Sequence, residues 1–144
     1  MPTPKLDAYL FFDGKCAEAI RFYHQVLGGK LQAMMTYAES PEPQHCPPGS
    51  QDRIMHACIE LDDRLLMASD TPAGQPYEGM KGVSLALLYP TVSEAKKTFD
   101  ALSSGGKVVM PLSPTFWADI FGMLTDRYGT SWMISGGMKQ QPQK

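Results

Sequence analysis

The feature that most constrains this chain is an internal repeat with a period of about 76 residues. In each half, a strand-like segment leads into an amphipathic helix that ends at a pair of glycines. Glu18 and Glu94, each followed by Ala, lie 76 residues apart (94 − 18), and the glycine pairs that begin at Gly28 and Gly105 lie 77 apart (105 − 28). Two copies are too few for a solenoid, so the repeat predicts two modules related by a pseudo-twofold axis.

Hydrophobic periodicity predicts the same elements in both halves. Residues 7–14 and 81–90 are predicted strands, and apolar residues recur at helical spacing over 15–30 and 91–107. Shorter strands are predicted after each helix, at 31–37, 53–61 and 64–70 in the first half and at 107–111, 118–124 and 131–135 in the second. The proline-rich stretch 38–52 is predicted to be a long loop.

This order of elements predicts an α+β fold made of two βαβββ modules. We expect a single domain over 1–144, with module one at about 1–75, module two at about 80–136 and a frayed tail at 137–144.

Charge and composition exclude several classes of partner. The net charge is −2 and the pI about 5.9, so there is no basic excess to neutralise phosphates, and we expect no nucleic-acid partner. No segment approaches the roughly 20 consecutive apolar residues of a membrane-spanning helix. The N-terminal stretch does not resemble a secretory signal, and three cysteines without C-x-x-C spacing suit reduced thiols. We therefore expect a cytoplasmic protein without a membrane partner.

Several stretches resemble the vicinal oxygen chelate superfamily, which includes glyoxalase, bleomycin-resistance and dioxygenase proteins. They are YLFFDGKCAEAIRFY, CPPG, IMHACIEL, LLMASD and FWADIFGMLTDRYGTSWMI. The chain is most similar to the PhnB-like branch, also described as a demethylubiquinone-methyltransferase-like domain. The resemblance implies that the two sheets curl around a cupped cavity and that the protein forms a homodimer.

Metal-dependent members of that superfamily take four ligands, typically His and Glu, one from each of four strands. Matching the FYHQVLG helix to that pattern puts the four positions at Ala8, Met67, Val83 or Ser84, and Met133. Alanine and valine have no donor atom, methionine is a soft thioether and serine is a weak ligand. We therefore predict that the usual metal site is missing, and we expect no cofactor.

Two polar residues are candidates for a ligand site. His56 lies within a predicted strand, on the face opposite Met55 and Ala57. It is either a partly buried histidine with one hydrogen bond or an acid–base or ligand-orienting group in the cavity. Asp70 follows an apolar strand, where a turn-forming or capping role competes with ligand binding.

Aromatic and sulfur-containing residues complete the candidates. Phe116 and Trp117 follow a proline-bounded loop and either belong to the core or form the cavity rim, whereas Trp132 is expected in the core. Cys46 is a weak candidate for a nucleophile or metal ligand. The predicted ligand-binding residues are His56, Asp70, Trp117, Phe116, Met67 and Met133.

Two functions remain open from the sequence. The first is a metal-independent protein that binds a small organic molecule. The second is an enzyme of lyase, isomerase or dioxygenase type with a non-standard site in which His56 is the candidate catalytic residue. No G-x-G-x-x-G motif occurs, so a Rossmann-type methyltransferase site has no support in the sequence.

Overall fold

The computed structural model describes residues 2–41 and 46–139 of the chain. The chain divides into two compact units, the first ending at Gly79 and the second beginning at Met80. Each unit contains a strand, a helix and three further strands in that order. The predicted α+β fold with two βαβββ modules is therefore confirmed.

The first unit is a four-stranded sheet with one helix packed against it. Its elements are β1 (Ala8–Phe12), α1 (Cys16–Leu27), β2 (Lys30–Thr36), β3 (Ile54–Leu61) and β4 (Arg64–Asp70). The strand order is β1-β4-β3-β2, in which β1 runs parallel to β4 and the other neighbours are antiparallel. The sheet is open, because β1 and β2 do not pair with each other.

The second unit repeats this topology. Its elements are β5 (Leu85–Tyr89), α2 (Val92–Ser103), β6 (Lys107–Ser113), β7 (Ala118–Thr125) and β8 (Ser131–Met138). The strand order is β5-β8-β7-β6, again with one parallel pair, β5 and β8. The repeat seen in the sequence is thus a repeat of strand pairing as well.

Several boundaries differ from the sequence-based expectation, among them two in the second sheet. The strand predicted to begin at residue 81 begins at Leu85, because the preceding residues form no ladder pairs. The tail predicted from residue 137 is wrong for its first residues, since β8 continues to Met138 and pairs there with Ala118. Lys139 N then donates to the carbonyl oxygen of Trp117. Gly136 and Gly137 do not end this strand, because β8 still pairs with β7 at Gly136 and Met138.

One face of each sheet is covered by the helix of its own unit. Helix α1 buries Cys16, Ala19, Ile20 and Tyr23, and α2 buries Ala95, Thr98, Phe99 and Leu102. These residues follow the helical spacing predicted from the sequence. Trp132 on β8 is 1% exposed, which confirms its predicted place in the core.

The two helices begin in different ways. Thr91 caps α2, where its hydroxyl accepts a hydrogen bond from Glu94 N and donates one to the Glu94 carboxylate. Lys15 stands at the cap position of α1 and makes no such bond. Within the described residues, neither helix has the length and apolar character needed to cross a bilayer.

Candidate functional site

The face of the first sheet that α1 does not cover carries aromatic and polar side chains. Along β1, Leu10 and Phe12 are buried toward the helix, so Tyr9 and Phe11 point to the opposite side. Register partners share a face, and Tyr9 pairs with Met67 on β4. We call this side of the first sheet the open face.

Two paired residues on β3 and β2 also belong to the open face. His56 precedes Ala57, which is fully buried on the helix side, and His56 pairs with Met35. The imidazole therefore lies opposite Ala57, on the face that strand alternation predicted from the sequence. Ser69 pairs with Phe11 and follows Ala68, the partner of Ala57, so it lies next to His56 on the same face.

Three aromatic rings form a row on the open face. The ring centroids of Phe11 and Tyr9 are 5.2 Å apart at an interplanar angle of 39°, and those of Tyr9 and His56 are 5.8 Å apart at 30°. Tyr9 is 41% exposed and Phe11 is 52% exposed. These three residues, Phe11, Tyr9 and His56, are called the ring row. It is an exposed aromatic surface of the kind that stacks on planar ligands.

A hydrogen bond links the two polar members of the ring row. The Tyr9 hydroxyl lies 3.2 Å from Nδ1 of His56. Within residues 2–41 and 46–139, the other ring nitrogen, Nε2, has no hydrogen-bond partner. The imidazole is thus anchored at one nitrogen and available to a ligand at the other.

The second sheet lacks this polar pair at the corresponding positions. Met67 corresponds to Met133, and the β5 residue paired with Met133 is Ala86 instead of a tyrosine. Leu88, paired with Ser135, takes the position that Phe11 has opposite Ser69. The two units therefore share their topology and a methionine on β4 and β8, but the first unit has Tyr9 where the second has Ala86.

Comparisons with known proteins identify the fold family. A model of the Glyoxalase/Bleomycin resistance protein/Dioxygenase superfamily matches residues 5–134. The chain belongs to this superfamily. Protein YjdN of Escherichia coli (strain K12) is 37% identical over 146 residues, which cover 95% of this chain and 97% of YjdN.

Solved structures agree with this assignment to the superfamily. Protein PA1353 from Pseudomonas aeruginosa is 46% identical, with a TM-score of 0.87 over 95% of this chain and 100% of PA1353. The PhnB protein from Bacillus cereus, by name a candidate 3-demethylubiquinone-9 3-methyltransferase, is 27% identical, with a TM-score of 0.77 over 92% of this chain and 99% of that protein. The predicted PhnB-like branch is confirmed.

The four sequence positions matched to the superfamily's metal ligands fall in both units. Ala8 shares the helix side with Leu10, so the β1 residue beside Met67 on the open face is Tyr9. Val83 and Ser84 precede β5, and the residue beside Met133 is Ala86. The predicted positions, Ala8, Met67, Val83 or Ser84, and Met133, include no imidazole and no carboxylate. These residues do not fit the superfamily's divalent metal.

No alternative cluster of metal ligands replaces them in the part of the chain that the structure describes. There, no three His, Cys, Asp or Glu side chains are grouped as a metal site requires. His45, the neighbour of Cys46 in the sequence, lies outside the described residues.

Asp70, predicted as either a turn-forming or capping residue or a ligand-binding group, accepts three hydrogen bonds from backbone N–H groups. Its Oδ1 accepts hydrogen bonds from the backbone N–H groups of Gly14 and Cys16, both at 2.9 Å. Its Oδ2 accepts one from Ile54 N at 2.9 Å, and the residue is 2% exposed. Asp70 thus supplies the cap that Lys15 does not give to α1, and it ties that helix to β3.

The predicted aromatic candidates Phe116 and Trp117 belong to the second unit. Trp117 packs edge-on against Phe116, with centroids 4.8 Å apart, and against Phe121, with centroids 5.2 Å apart. Phe116 is 79% exposed, whereas Phe121 is buried. Trp117 is therefore part of an aromatic cluster that runs from the surface into the interior of its unit.

Two tyrosines that the sequence did not single out flank the open face. The Tyr77 hydroxyl donates to the carbonyl oxygen of Phe11 at 2.6 Å, and the Tyr37 hydroxyl donates to that of Asp70 at 3.0 Å. Burial is the main cause that raises the pKa of both phenols, and the Asp70 charge adds to it for each. Both hydroxyls therefore stay protonated and hold backbone carbonyls near the ring row.

The three cysteines are free thiols in different surroundings. Burial, with a smaller effect of the Asp70 charge, raises the pKa of Cys16 to about 12. Burial also raises the pKa of Cys58, and the charges of Glu60 and Asp7 add to this. Cys46 is only half-buried and donates to the carbonyl oxygen of Pro47 at 3.5 Å.

We expect iodoacetamide at about pH 8 to alkylate Cys46 and to leave Cys16 and Cys58 unmodified in the folded protein. The thiolate is the reactive form, and a raised pKa keeps a thiol protonated at this pH. Intact-mass and peptide mass spectrometry measure the result, with alkylation in urea as the control in which all three react. Equal rates for Cys46 and Cys58 in the folded protein would contradict this ordering.

Proposed function

We propose that this protein binds a small planar organic molecule on the open face of its first sheet, without a metal ion. The observation that supports this most strongly is the ring row, in which Phe11 and Tyr9 are exposed and His56 keeps Nε2 free of partners among the described residues. Binding sites for small molecules combine an apolar, aromatic lining with a few placed polar groups.

The rest of the open face suits such a ligand. Met35 and Met67 flank the ring row and provide a flexible, polarisable lining that adapts to ligands of different outline. The polar groups on the open face near the rings include the Tyr9 hydroxyl, the His56 imidazole, the Ser69 hydroxyl and the Cys58 thiol. The combination of an apolar, aromatic lining and a small number of polar groups favours a ligand that stacks on the rings and is oriented by the polar groups.

The proposed site uses no divalent metal, because the residues at the positions matched to the family's metal ligands are poor ligands for one. Metal-dependent members of the superfamily use imidazole and carboxylate ligands, whereas the positions matched to them here are Ala8, Met67, Val83 or Ser84, and Met133. Two thioethers, one methyl group and a valine or serine side chain make no site for zinc, magnesium or manganese.

Acid–base catalysis is the second candidate function, as in a lyase, an isomerase or a dioxygenase. The observation that favours it is Nε2 of the half-buried His56, which has no hydrogen-bond partner among the described residues. A base at this position requires Nε2 to be unprotonated, so that it can accept a proton from a substrate.

Acetophenone, a planar ring with one carbonyl group, is a suitable probe of the proposed site. We expect its titration to shift the backbone amide signals of β1, β3 and β4 in NMR spectra of ¹⁵N-labelled protein. Phe11→Ala should weaken this binding about fivefold, because an aromatic pair contributes about 1 kcal/mol beyond its buried area. EDTA should leave the affinity unchanged, because the site uses no metal.

Leu88→Ala is the matched control, since Leu88 is 61% exposed and has in the second sheet the position of Phe11 in the first. This change should leave the affinity for acetophenone as in the parent. The proposal fails if Phe11→Ala and Leu88→Ala have equal effects, or if the shifts are confined to the second unit.

A further inference from the structure

We infer that Tyr9 holds His56 in the form that carries its proton on Nε2, so that the site selects ligands with a carbonyl-type acceptor attached to the planar ring. This inference rests on the proposed function, because it names the ligand class of the same face. It assigns to Tyr9 a positioning role that its sequence pattern did not indicate.

The direction of the hydrogen bond between Tyr9 and His56 follows from the chemistry of its two partners. In neutral imidazole one nitrogen donates and the other accepts, and the partner of Nδ1 decides which. The sp² nitrogen of imidazole is a strong acceptor, whereas the lone pair of a phenol oxygen is delocalised into the ring. The 3.2 Å contact is therefore best formed with the Tyr9 hydroxyl as donor and Nδ1 as acceptor.

The neighbours of His56 on the open face are Met35 on β2, Ser69 on β4, Tyr9 on β1 and Cys58 on its own strand, and none of them is a carboxylate. With Nδ1 accepting from Tyr9, the single proton of the neutral ring is on Nε2, the nitrogen left to a ligand.

An Nε2–H group donates, so the complementary ligand offers an acceptor. A carbonyl or carboxylate oxygen attached to an aromatic ring could meet Nε2 while the ring stacks on Phe11 and Tyr9. The same Nε2–H group cannot accept a proton from a substrate. Tyr9 thus favours ligand binding over base catalysis at this site.

The first experiment reads the protonated nitrogen on the free protein, so its result is independent of any ligand. Long-range ¹H–¹⁵N NMR spectra at about pH 8, where an ordinary imidazole is neutral, distinguish the two forms. The chain has three histidines, and the His56 signals are those that disappear in His56→Gln. We expect the Nε2–H form alone in the parent and in Phe11→Ala, and a mixture in Tyr9→Phe. An Nδ1–H form in the parent, or a Tyr9→Phe spectrum identical to it, would overturn the inference.

The second experiment measures selectivity with three neutral probes. Acetophenone offers an acceptor, N-methylaniline offers chiefly a donor, and isopropylbenzene has the shape of acetophenone without the carbonyl. The parent should bind acetophenone about fivefold more tightly than either of the others, the effect of one neutral hydrogen bond. Tyr9→Phe should lose most of this preference while it still binds all three.

The outcomes separate the inference from the proposed function. If all three probes bind the open face with equal affinity, the ligand class is wrong and the proposed function stands. A preference for N-methylaniline overturns the inference and supports a base at Nε2. If none of the probes shifts the signals of β1, β3 and β4, both the ligand class and the proposed site are wrong.

Discussion

Asp70→Ala is expected to lower the free energy of unfolding by more than about 3 kcal/mol, because it leaves backbone donors without an acceptor. The carboxylate accepts from Gly14, Cys16 and Ile54, and the bonds to Cys16 and Ile54 are buried. A buried donor that loses its partner destabilises the folded state by about 1–3 kcal/mol. Urea denaturation followed by far-ultraviolet circular dichroism measures the change.

Two further variants test the role of the Asp70 carboxylate, one at Asp70 itself and one as a control at an exposed aspartate. Asp70→Asn keeps one oxygen but turns an amide NH₂ toward a backbone N–H group, so it should destabilise the protein less than alanine does, yet clearly. Asp63→Ala removes an exposed carboxylate from the turn between β3 and β4 and should change the stability by less than about 0.5 kcal/mol. Equal effects of Asp70→Ala and Asp63→Ala would contradict the structural role of Asp70.

The elements of this fold could be predicted because their signals are local. Apolar residues at helical spacing and the glycine pair after each helix locate α1 and α2 within a few residues of their bounds. Strand alternation also placed His56 on the side opposite Ala57, since the direction of a strand side chain depends only on its neighbours. These inferences required no knowledge of distant contacts.

The role of Asp70 could not be predicted, because its partners are far away in the sequence. Its hydrogen bonds reach back 56 residues to Gly14 and 54 residues to Cys16. Nothing near Asp70 in the sequence indicates that an uncapped helix N-terminus lies beside it. The sequence left a local capping role and a ligand-binding role open for Asp70. In the structure Asp70 caps a helix that is remote in the sequence.

Tyr9 was missed for a different reason. A match to the family pattern through the helix that follows β1 singled out Ala8, which lies on the helix side of β1, whereas its neighbour Tyr9 points to the other face. The alternation in AYLFF, with Leu10 and Phe12 buried, was the signal that could have identified Tyr9 and Phe11. The hydrogen bond from Tyr9 to His56 joins β1 to β3, and it becomes visible only when strand order is known.

Gly136→Ala is expected to destabilise the protein by about 2–3 kcal/mol, because α2 lies directly against β8 at this glycine. A Cβ added at Gly136 would lie 2.7 Å from the Cβ of Ala95 and 2.7 Å from the carbonyl oxygen of Thr91. Both atoms belong to the start of α2 and its cap, so the helix would have to shift, and such overpacking typically costs about 1–3 kcal/mol. Thermal and urea denaturation measure the change.

A double-mutant cycle with Ala95→Gly tests whether this close approach is the cause. Ala95→Gly alone should destabilise α2 by about 1 kcal/mol, the usual effect of glycine in a helix. It also removes one of the two contacts at 2.7 Å, so the double variant should be more stable than the sum of the single changes predicts. Gly136 does not have a positive φ, so left-handed backbone strain does not contribute to the effect of its substitution. Strict additivity of Gly136→Ala and Ala95→Gly would show that the helix does not limit the side chain at position 136.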